Sequence, residues 1–388
     1  MERKLILLSS TLCFAAISTS VQAQDDIQPG FYPGLGLSLA SDDNIYRAET
    51  AAISDTYYLL NPSLLYKTEF GKHGLDVSYA GSYGYYQDVS GDNYTDHNAN
   101  ADLKLDLTPK FNVDLQVGYT DAHEPRGTSG TDLVVSPTPN LWNESRVFGE
   151  VLYGRRTNKG QFSLSYESLQ TGFTNNSQDE RDRNVNNIMG KFFYNYSSKT
   201  SFLFETELAT VDYVSATAPV NLDSSVSHNF IGAKWEATAK TTGEIKVGSI
   251  NKDLKDATLD DFSGNGFDIN ISWKPKTYST VQLTASRYTR ESATATDSFY
   301  VSDVYNLAFR HAFTERVEMN ANITPGTDTY SGTREDSLMG IGVGVNYKLN
   351  RLLDLGARYI SSTRRSNVAG ADFDSTVVML TVSTRANR

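Results

Sequence analysis

Apolar and polar residues alternate one by one through many short segments of this 388-residue chain. In residues 113–119 (VDLQVGY) the odd positions are apolar or aromatic, and the positions between them are polar or glycine. Successive side chains of a β-strand point to opposite faces, so such a segment is predicted to be a strand with one apolar face. The same pattern recurs in residues 202–208, 267–273, 317–323 and 353–359.

The connections between these segments are predicted to alternate strictly between short and long. Tight connections are found at residues 70–74, 108–112, 156–160, 197–200, 240–244, 275–279, 313–316 and 348–352. Longer polar segments lie between them, such as 87–97, 123–140 and 174–184. A soluble β-sandwich shows the same alternation of residues, but short turns that alternate with long loops are typical of a transmembrane β-barrel.

Counting from Phe31, we predict one all-β, antiparallel transmembrane barrel of about 18 strands, each about nine to twelve residues long. In hydrocarbon every backbone N–H and C=O must be paired within the protein, which strands achieve only in a closed sheet. The even strand number places both termini and the short turns on the periplasmic side of the outer membrane of a Gram-negative bacterium, with the longer loops outside. The chain ends at Arg388 rather than at an aromatic residue, which leaves the bounds of the last strand open.

The first residues form a cleavable export signal in our interpretation. Arg3 and Lys4 precede an apolar run over residues 5–17, and residues 21–23 (VQA) have the small-x-small pattern of a signal peptidase site. The apolar run is too short to span about 30 Å of hydrocarbon. We therefore predict a signal peptide over residues 1–23 and a barrel domain over 24–388. The single cysteine, Cys13, lies in the signal, so a disulfide scaffold and a thiol nucleophile are excluded.

The amino-acid composition narrows the class of protein further. The net charge of −11 argues against a nucleic-acid partner, since phosphates require a basic surface. No run of eighteen apolar residues occurs after the signal, so no transmembrane helix is predicted. Aromatic residues cluster near strand ends, where we expect them to form girdles at the membrane–water boundary: Tyr57, Tyr58, Tyr66, Phe70, Tyr83, Tyr85, Tyr86, Tyr194, Tyr196, Phe299 and Tyr300.

The residues that catalysis or metal binding would need are scattered. The five histidines lie far apart in the predicted topology, and neither a G-x-S-x-G nor an H-E-x-x-H motif is present. The acidic loops 90–96 and 256–266 lack the ligand spacing of a calcium loop. We predict no enzymatic activity, no metal site and no cofactor.

The polar faces of the strands are predicted to line the interior of the barrel. Charges of both signs are mixed there with amides and hydroxyls, which indicates a hydrated channel rather than an apolar ligand pocket. The candidate channel-lining residues are Asp114, Glu205, Glu207, Asp268, Lys274, Arg310, Glu318, Asp354 and Arg358.

Four segments carry a resemblance to a known family. In chain order they are SDDNIYRAE (41–49), LNPSLLYKTEFGKHGLDVSYAGSYGYYQD (60–88), HEPRGT (123–128) and TDSFYVSDVYNLAFRHAFTERV (296–317). In this order and spacing they resemble the outer-membrane β-barrel porins of the second type, which include barrels encoded with exopolysaccharide assembly systems. The resemblance implies an outer-membrane conduit for a secreted exopolysaccharide. It also implies as partners the polysaccharide in transit, periplasmic export and co-polymerase proteins, and the surrounding lipid and lipopolysaccharide.

Two other functions stay open. A general diffusion porin for small hydrophilic solutes would be favoured by a long third loop folded inward, and residues 125–140 are the candidate constriction. A structural or adhesive surface barrel is the third possibility.

In residues 42–47 (DDNIYR) we expect Asp42, Asp43 and Asn44 to form a turn, Ile45 and Tyr46 to reach the lipid headgroup boundary, and Arg47 to pair with an acid or a phosphate.

Overall fold

A computed structural model of the chain describes residues 28–131, 136–215, 220–238, 240–294 and 297–384, so the predicted signal peptide lies outside the described residues. The fold is a closed antiparallel sheet of 18 strands, in which each strand pairs with the next and β1 pairs with β18. The strands are β1 Gly30–Asp42, β2 Asp55–Phe70, β3 His73–Tyr86, β4 Tyr94–Thr108, β5 Phe111–His123, β6 Leu141–Tyr153, β7 Gly160–Phe173, β8 Arg183–Asn195, β9 Thr200–Tyr213, β10 Ser224–Thr238, β11 Thr241–Leu254, β12 Phe262–Lys276, β13 Ser279–Thr294, β14 Asp297–Ala312, β15 Val317–Tyr330, β16 Glu335–Lys348, β17 Leu353–Ser366 and β18 Phe373–Thr384.

Helical structure within the described residues is limited to two short 3-10 segments, Ser90–Asp92 and Asp179–Arg181. Both lie in connections between strands. No helix in this part of the chain has the length and apolar character that a membrane crossing requires.

The predicted barrel of 18 strands is confirmed, and all eight predicted tight connections lie at one end of it, the turn end. The nine remaining connections, L1 to L9, lie at the opposite loop end and cover residues 43–54, 87–93, 124–140, 174–182, 214–223, 255–261, 295–296, 331–334 and 367–372. The predicted strict alternation of short and long connections is wrong at L7, L8 and L9, which are no longer than the longest turn, residues 154–159. The strands have 12 to 16 residues rather than nine to twelve, because they continue beyond the apolar band.

The predicted outward apolar faces are confirmed. Val117, Phe202, Leu208 and Trp273, which belong to the segments with predicted alternation, expose half or more of their side-chain surface on the outside of the barrel. A soluble protein would not expose so many large apolar side chains, whereas hydrocarbon solvates them.

The predicted aromatic girdle is correct for some residues and wrong for others. Tyr58, Tyr66, Phe70, Tyr85, Tyr194 and Tyr196 are exposed on the outside. Tyr57 stacks on Tyr86 inside the barrel with ring centroids 4.8 Å apart, and Phe299 and Tyr300 are buried. Because neighbouring side chains of a strand point to opposite faces, Tyr57 and Tyr58 cannot belong to the same girdle.

The loop end of the β13–β14 hairpin bends into the barrel. β12 pairs with β13 only up to Phe267 and Arg287, although both strands continue further toward the loop end. Beyond Arg287, Glu291 accepts hydrogen bonds from Lys252 (2.7 Å) and Tyr213 (3.0 Å), which lie on the inner wall of β11 and β9. We call residues 288–294 and 297–299 the inner hairpin, because they leave the β12–β13 pairing and pack against the inner wall.

Candidate functional site

L3 crosses the interior of the barrel. It connects β5 to β6, yet the Gly127 carbonyl accepts a hydrogen bond from the Arg364 guanidinium on β17, and the Gly130 N–H donates to the Tyr330 hydroxyl on β15 (3.0 Å). In the ring of 18 strands, β15 lies about halfway around from β5 and β6, and β17 lies about a third of the way around. The inward-folded third loop predicted at residues 125–140 is therefore observed; residues 132–135 lie outside the described part.

Two glycines allow L3 to approach the far wall. Gly127 and Gly130 both have φ +76°, a conformation that L-residues rarely adopt. A Cβ at Gly127 would lie 2.8 Å from Arg47 Cγ, and one at Gly130 would lie 2.8 Å from Tyr300 Cε1. Only glycine satisfies both the backbone conformation and the short distance.

Ion pairs with neighbouring loops hold the base of L3. Glu124 accepts two hydrogen bonds from Arg181 of L4, at 2.6 and 3.0 Å, and both side chains are buried. Arg126 pairs with Asp92 of L2 at 2.7 Å, and its guanidinium lies 5.3 Å from the centre of the Tyr46 ring. Burial and the nearby Asp92 carboxylate raise the pKa of Tyr46. The ring is thus a neutral aromatic surface for the arginine.

The segment 42–47 contributes to this loop cluster rather than to the membrane boundary. The expectation that Ile45 and Tyr46 reach the lipid headgroups is wrong, since Ile45 is 3% exposed and Tyr46 lies beneath Arg126. The expected acid partner of Arg47 is confirmed as Asp42, at 2.8 Å. Asn44 donates to the carbonyl of Asp374 and so joins L1 to β18.

The wall that L3 meets carries a compact group of charges. Asp328 and Asp336 are directly opposite one another on β15 and β16 and have no exposed surface. Arg334 forms two hydrogen bonds to Asp336, at 3.0 and 2.7 Å, and Arg364 approaches the same carboxylate at 3.5 Å. Both arginines contact Asp336, whereas the buried carboxylate of Asp328 forms no ion pair among the described residues.

Three predicted channel-lining residues come together on the wall of β8 to β13. Glu205 pairs with Lys191 and Lys246, both at 2.9 Å, and Lys246 also pairs with Asp268 at 3.2 Å. Glu207 pairs with His228 at 2.9 Å. These charges satisfy one another within the wall.

The other six candidates are spread around the inner face. Asp114 lies opposite Lys104 and Glu150, Asp354 lies opposite Lys348, and Arg310 pairs with Glu318 at 2.5 Å. The last two candidates have no charged residue paired with them among the described residues. Lys274 is exposed at the turn end of β12, and Arg358 lies between Gly344 and Met379 in the strand register. Contact of any of the nine with a solute remains a prediction.

The interior is not open at every level, because the inner hairpin covers part of the wall; the hydrated channel itself remains a prediction. A small cavity of about 40 Å³ lies between the inner hairpin and the wall of β6 to β10. Its floor includes the buried side chains of Leu169, Val185 and Val211. The sequence signal was a run of apolar residues at inward positions near the loop end, such as Ala209 and Val211 on β9. The described residues contain no cluster of acids and histidines arranged to hold a metal ion.

Solved structures of similar fold are outer-membrane porins. The outer membrane protein OpdK of Pseudomonas aeruginosa aligns with a TM-score of 0.51 at 11% identity, over 91% of this chain and 98% of that chain. OccK2 (OpdF) of the same species, solved in complex with glucuronate, aligns with 0.51 at 9% identity over 92% and 100%. A BenF-like porin from Pseudomonas fluorescens Pf-5 aligns with 0.50 at 11% identity over 92% and 98%. At these identities the likeness concerns the fold.

Among curated proteins, none matches the sequence. The sequence model of the family described as "Putative beta-barrel porin 2" matches residues 30–386, which is the whole of the barrel. The chain therefore belongs to this family of β-barrel porins, and it is a pore protein of the outer membrane of a Gram-negative bacterium.

Proposed function

We propose that the protein is a diffusion pore for small hydrophilic solutes, with L3 as its constriction. The observation that carries the proposal is the contact of Gly127 and Gly130 with β17 and β15 on the far side of the interior. An 18-stranded barrel is wide enough for an aqueous channel, and a loop fixed across it limits the size of what passes. In this proposal the barrel binds and admits solutes and catalyses no reaction.

Export of an exopolysaccharide, the function that the family resemblance implied, remains a prediction. A polymer needs a continuous wide path, and the contacts of L3 with the opposite wall favour small solutes instead. We accordingly propose lipid and lipopolysaccharide as the surroundings of the barrel. Periplasmic export and co-polymerase partners belong to the export hypothesis alone.

Channel measurements with a shortened L3 test the proposal. Purified barrels are placed in planar bilayers and in liposomes that swell when sugars of increasing size enter. We expect the native barrel to conduct ions and admit monosaccharides, and a variant that lacks residues 126–138 to have a larger conductance and admit larger oligosaccharides. A matched deletion of residues 257–260 in the exposed loop L6 should change neither property.

Two outcomes would contradict the proposal. If neither the native barrel nor the L3 variant conducts, the chain is not a diffusion pore. If native barrels admit long oligosaccharides as readily as monosaccharides, L3 is not a constriction, and the export hypothesis gains support.

A further inference from the structure

One sector of the inner wall carries amides, hydroxyls and glycines, whereas the wall of β8 to β13 carries a group of ion pairs around Glu205 and Lys246. We call the inner face of β15 to β18, on the turn-end side of the L3 contacts, the amide sector. Its inward side chains alternate with residues that are exposed on the outside, such as Val343 and Tyr359. The sector includes Asn320, Asn322, Gly344, Asn346, Gly356 and Thr381.

Arg358 lies in the amide sector and has no acid beside it. Among the described residues, no carboxylate lies at ion-pair distance from its guanidinium, and its Nε atom is buried without a hydrogen-bond partner. The acids at the turn end of the sector lie beside other cations. Glu318 pairs with Arg310, and Asp354 lies opposite Lys348. No described side chain of this wall therefore neutralises the charge of Arg358.

Two asparagines bring their amide groups to the same part of the wall. Gly344 lies directly beside Arg358 on β16, and a Cβ at Gly344 would meet Asn320 Oδ1 at 2.8 Å. Gly356 lies two residues from Arg358 on β17, and a Cβ there would meet Asn346 Oδ1 at 3.2 Å. The two glycines leave the space that these amides occupy, so a guanidinium and two amide groups lie together on the inner face.

The amide sector is accessible from the turn end of the interior. Asn346 is exposed, and Arg358 retains part of its exposed surface. On the loop-end side, Ile360 and Met379 belong to a buried apolar cluster. The contact of L3 with β17 is at Arg364, six residues or about 20 Å farther along the strand. A solute can therefore reach Arg358 from the turn end without displacing L3 from this contact.

This arrangement favours a carboxylate over other solute groups. A partly buried guanidinium without a counter-ion is costly, and a carboxylate removes this cost through two parallel hydrogen bonds. The amide N–H groups of Asn320 and Asn346 can donate further hydrogen bonds to oxygen atoms of the same solute. A solute ammonium group would be repelled by Arg358, and a neutral solute would gain no charged hydrogen bond.

We propose that Arg358, Asn320 and Asn346 form a binding site for a small organic acid with hydroxyl groups. Arg358 binds the carboxylate, and the two asparagines bind the hydroxyl groups next to it. The inference rests on the proposed function and deepens it, because it names a class of solute for the diffusion pore.

A series of solutes of equal size tests the site on the native barrel. Gluconate, sorbitol and 1-amino-1-deoxysorbitol share a six-carbon chain with hydroxyl groups, and one end is a carboxylate, a hydroxymethyl or an aminomethyl group, respectively. Binding to the purified barrel in detergent is measured by titration calorimetry at constant ionic strength. We expect gluconate to bind about tenfold or more tightly than the other two, because only gluconate forms charged hydrogen bonds with the guanidinium. Equal affinity for gluconate and either of the others overturns the assignment.

Competition with acetate and chloride separates a carboxylate site from a general anion site. Both are small monovalent anions, but only acetate has two oxygen atoms that match the guanidinium. At equal ionic strength we expect acetate to displace gluconate at an about tenfold lower concentration than chloride. Equal displacement by the two anions overturns the carboxylate assignment.

Variants of Arg358 then assign the residue. Arg358→Gln should weaken gluconate binding about tenfold and leave sorbitol binding unchanged. Arg358→Lys keeps the charge but loses the paired hydrogen bonds, so it should weaken gluconate binding less. Lys67→Gln is the matched control, because Lys67 also faces the interior but pairs with Asp76 at 3.4 Å. Unchanged gluconate binding in Arg358→Gln, or an equal loss in Lys67→Gln, overturns the site.

The failure of this site and the failure of the pore are distinguishable. A barrel that conducts ions and binds gluconate no more tightly than sorbitol retains the diffusion function and loses the carboxylate site. A barrel that prefers gluconate and never conducts retains the site and loses the diffusion function.

Discussion

The turn-end half of the barrel and its loop-end half are built differently. At the turn end, most side-chain contacts join strands that are neighbours in sequence, as in the ion pair of Arg310 on β14 with Glu318 on β15. The exposed pair of Arg156 with Glu236 on β10 is the exception that the described residues show. At the loop end, the Gly130 N–H meets the Tyr330 hydroxyl 200 residues away, and the Gly127 carbonyl meets Arg364. The turn-end half is thus a sheet alone, whereas the loop-end half is a sheet with L3 and the inner hairpin packed inside it.

This difference between the two halves indicates which half determines the solutes that the pore admits. Alternating residues and tight turns suffice to form and insert the wall, and any barrel of this family needs them. The contents of the interior are set by loop contacts that the wall does not require. Changes at the turn end should therefore affect assembly, and changes at the loop end should affect what passes.

The largest effect on folding and insertion is expected from a charge placed on the lipid-facing surface of the barrel wall. Val117→Arg places a cation on the outward face at mid-strand, where 53% of the valine is exposed to hydrocarbon. We expect a loss of about 2–4 kcal/mol of folding free energy and failure of insertion. Asp114→Arg, three residues along the same strand on the inner face, should still insert. The measurement is heat-modifiable gel mobility after expression, and equal loss in both variants would refute the face assignment.

The second largest effect is expected from the ion pair at the base of L3. Arg181→Met leaves the buried Glu124 without its counter-ion, which should lower the free energy of unfolding by about 3 kcal/mol. Arg365→Met breaks the exposed pair with Asp374 and should cost at most about 1 kcal/mol. Denaturant unfolding followed by intrinsic fluorescence compares the two. Similar losses would show that the Glu124–Arg181 pair is as solvated as a surface pair.

A glycine comparison separates backbone strain from displacement of L3. Gly130→Ala and Gly370→Ala both introduce a Cβ at positive φ, which costs about 1 kcal/mol. At Gly130 the Cβ would also meet Tyr300 at 2.8 Å, whereas at Gly370 no atom lies within 4 Å. We expect both variants to lose stability and only Gly130→Ala to change single-channel conductance. An unchanged conductance in Gly130→Ala would mean that L3 does not limit the current.

The smallest effect is expected from a single hydroxyl. Tyr330→Phe removes the acceptor of the Gly130 N–H and should cost about 1 kcal/mol. Tyr347→Phe, on the outward face near the turn end, is the control and should have less effect. More frequent current fluctuations in Tyr330→Phe alone would show that this bond holds L3 in place, and identical traces would show that it does not.

Strand number, turn positions and the outward faces were readable from the sequence because each depends on residues close together in the chain. Val117 and Asp114 could be assigned to opposite faces from a period of two residues alone. The girdle prediction failed for Tyr57 and Tyr300, because it relied on the clustering of aromatic residues in sequence, which does not state which face they share. The predicted lengths of L7 and L8 were also wrong: L7 closes the bent hairpin of β13 and β14, which needs no long loop, and L8 is a short connection of β15 to β16.

The candidate site was only partly predictable. The inward fold of L3 could be anticipated from its length, and Glu205, Glu207 and Asp268 from their inward positions. The pairs Glu124–Arg181 and Arg126–Asp92 could not be anticipated, because they join loops more than 30 residues apart. The buried apolar cluster of Leu169, Val185 and Val211 was missed, since it forms only when the inner hairpin covers these residues.

The sequence by itself determined that the chain is a membrane-spanning barrel and which face of each strand meets lipid, since alternation and turn spacing are local properties that hydrocarbon enforces. Only the tertiary structure decided what the interior contains. The positions of L3 and of the inner hairpin depend on contacts between distant segments, and closing the sheet is what brings those segments together.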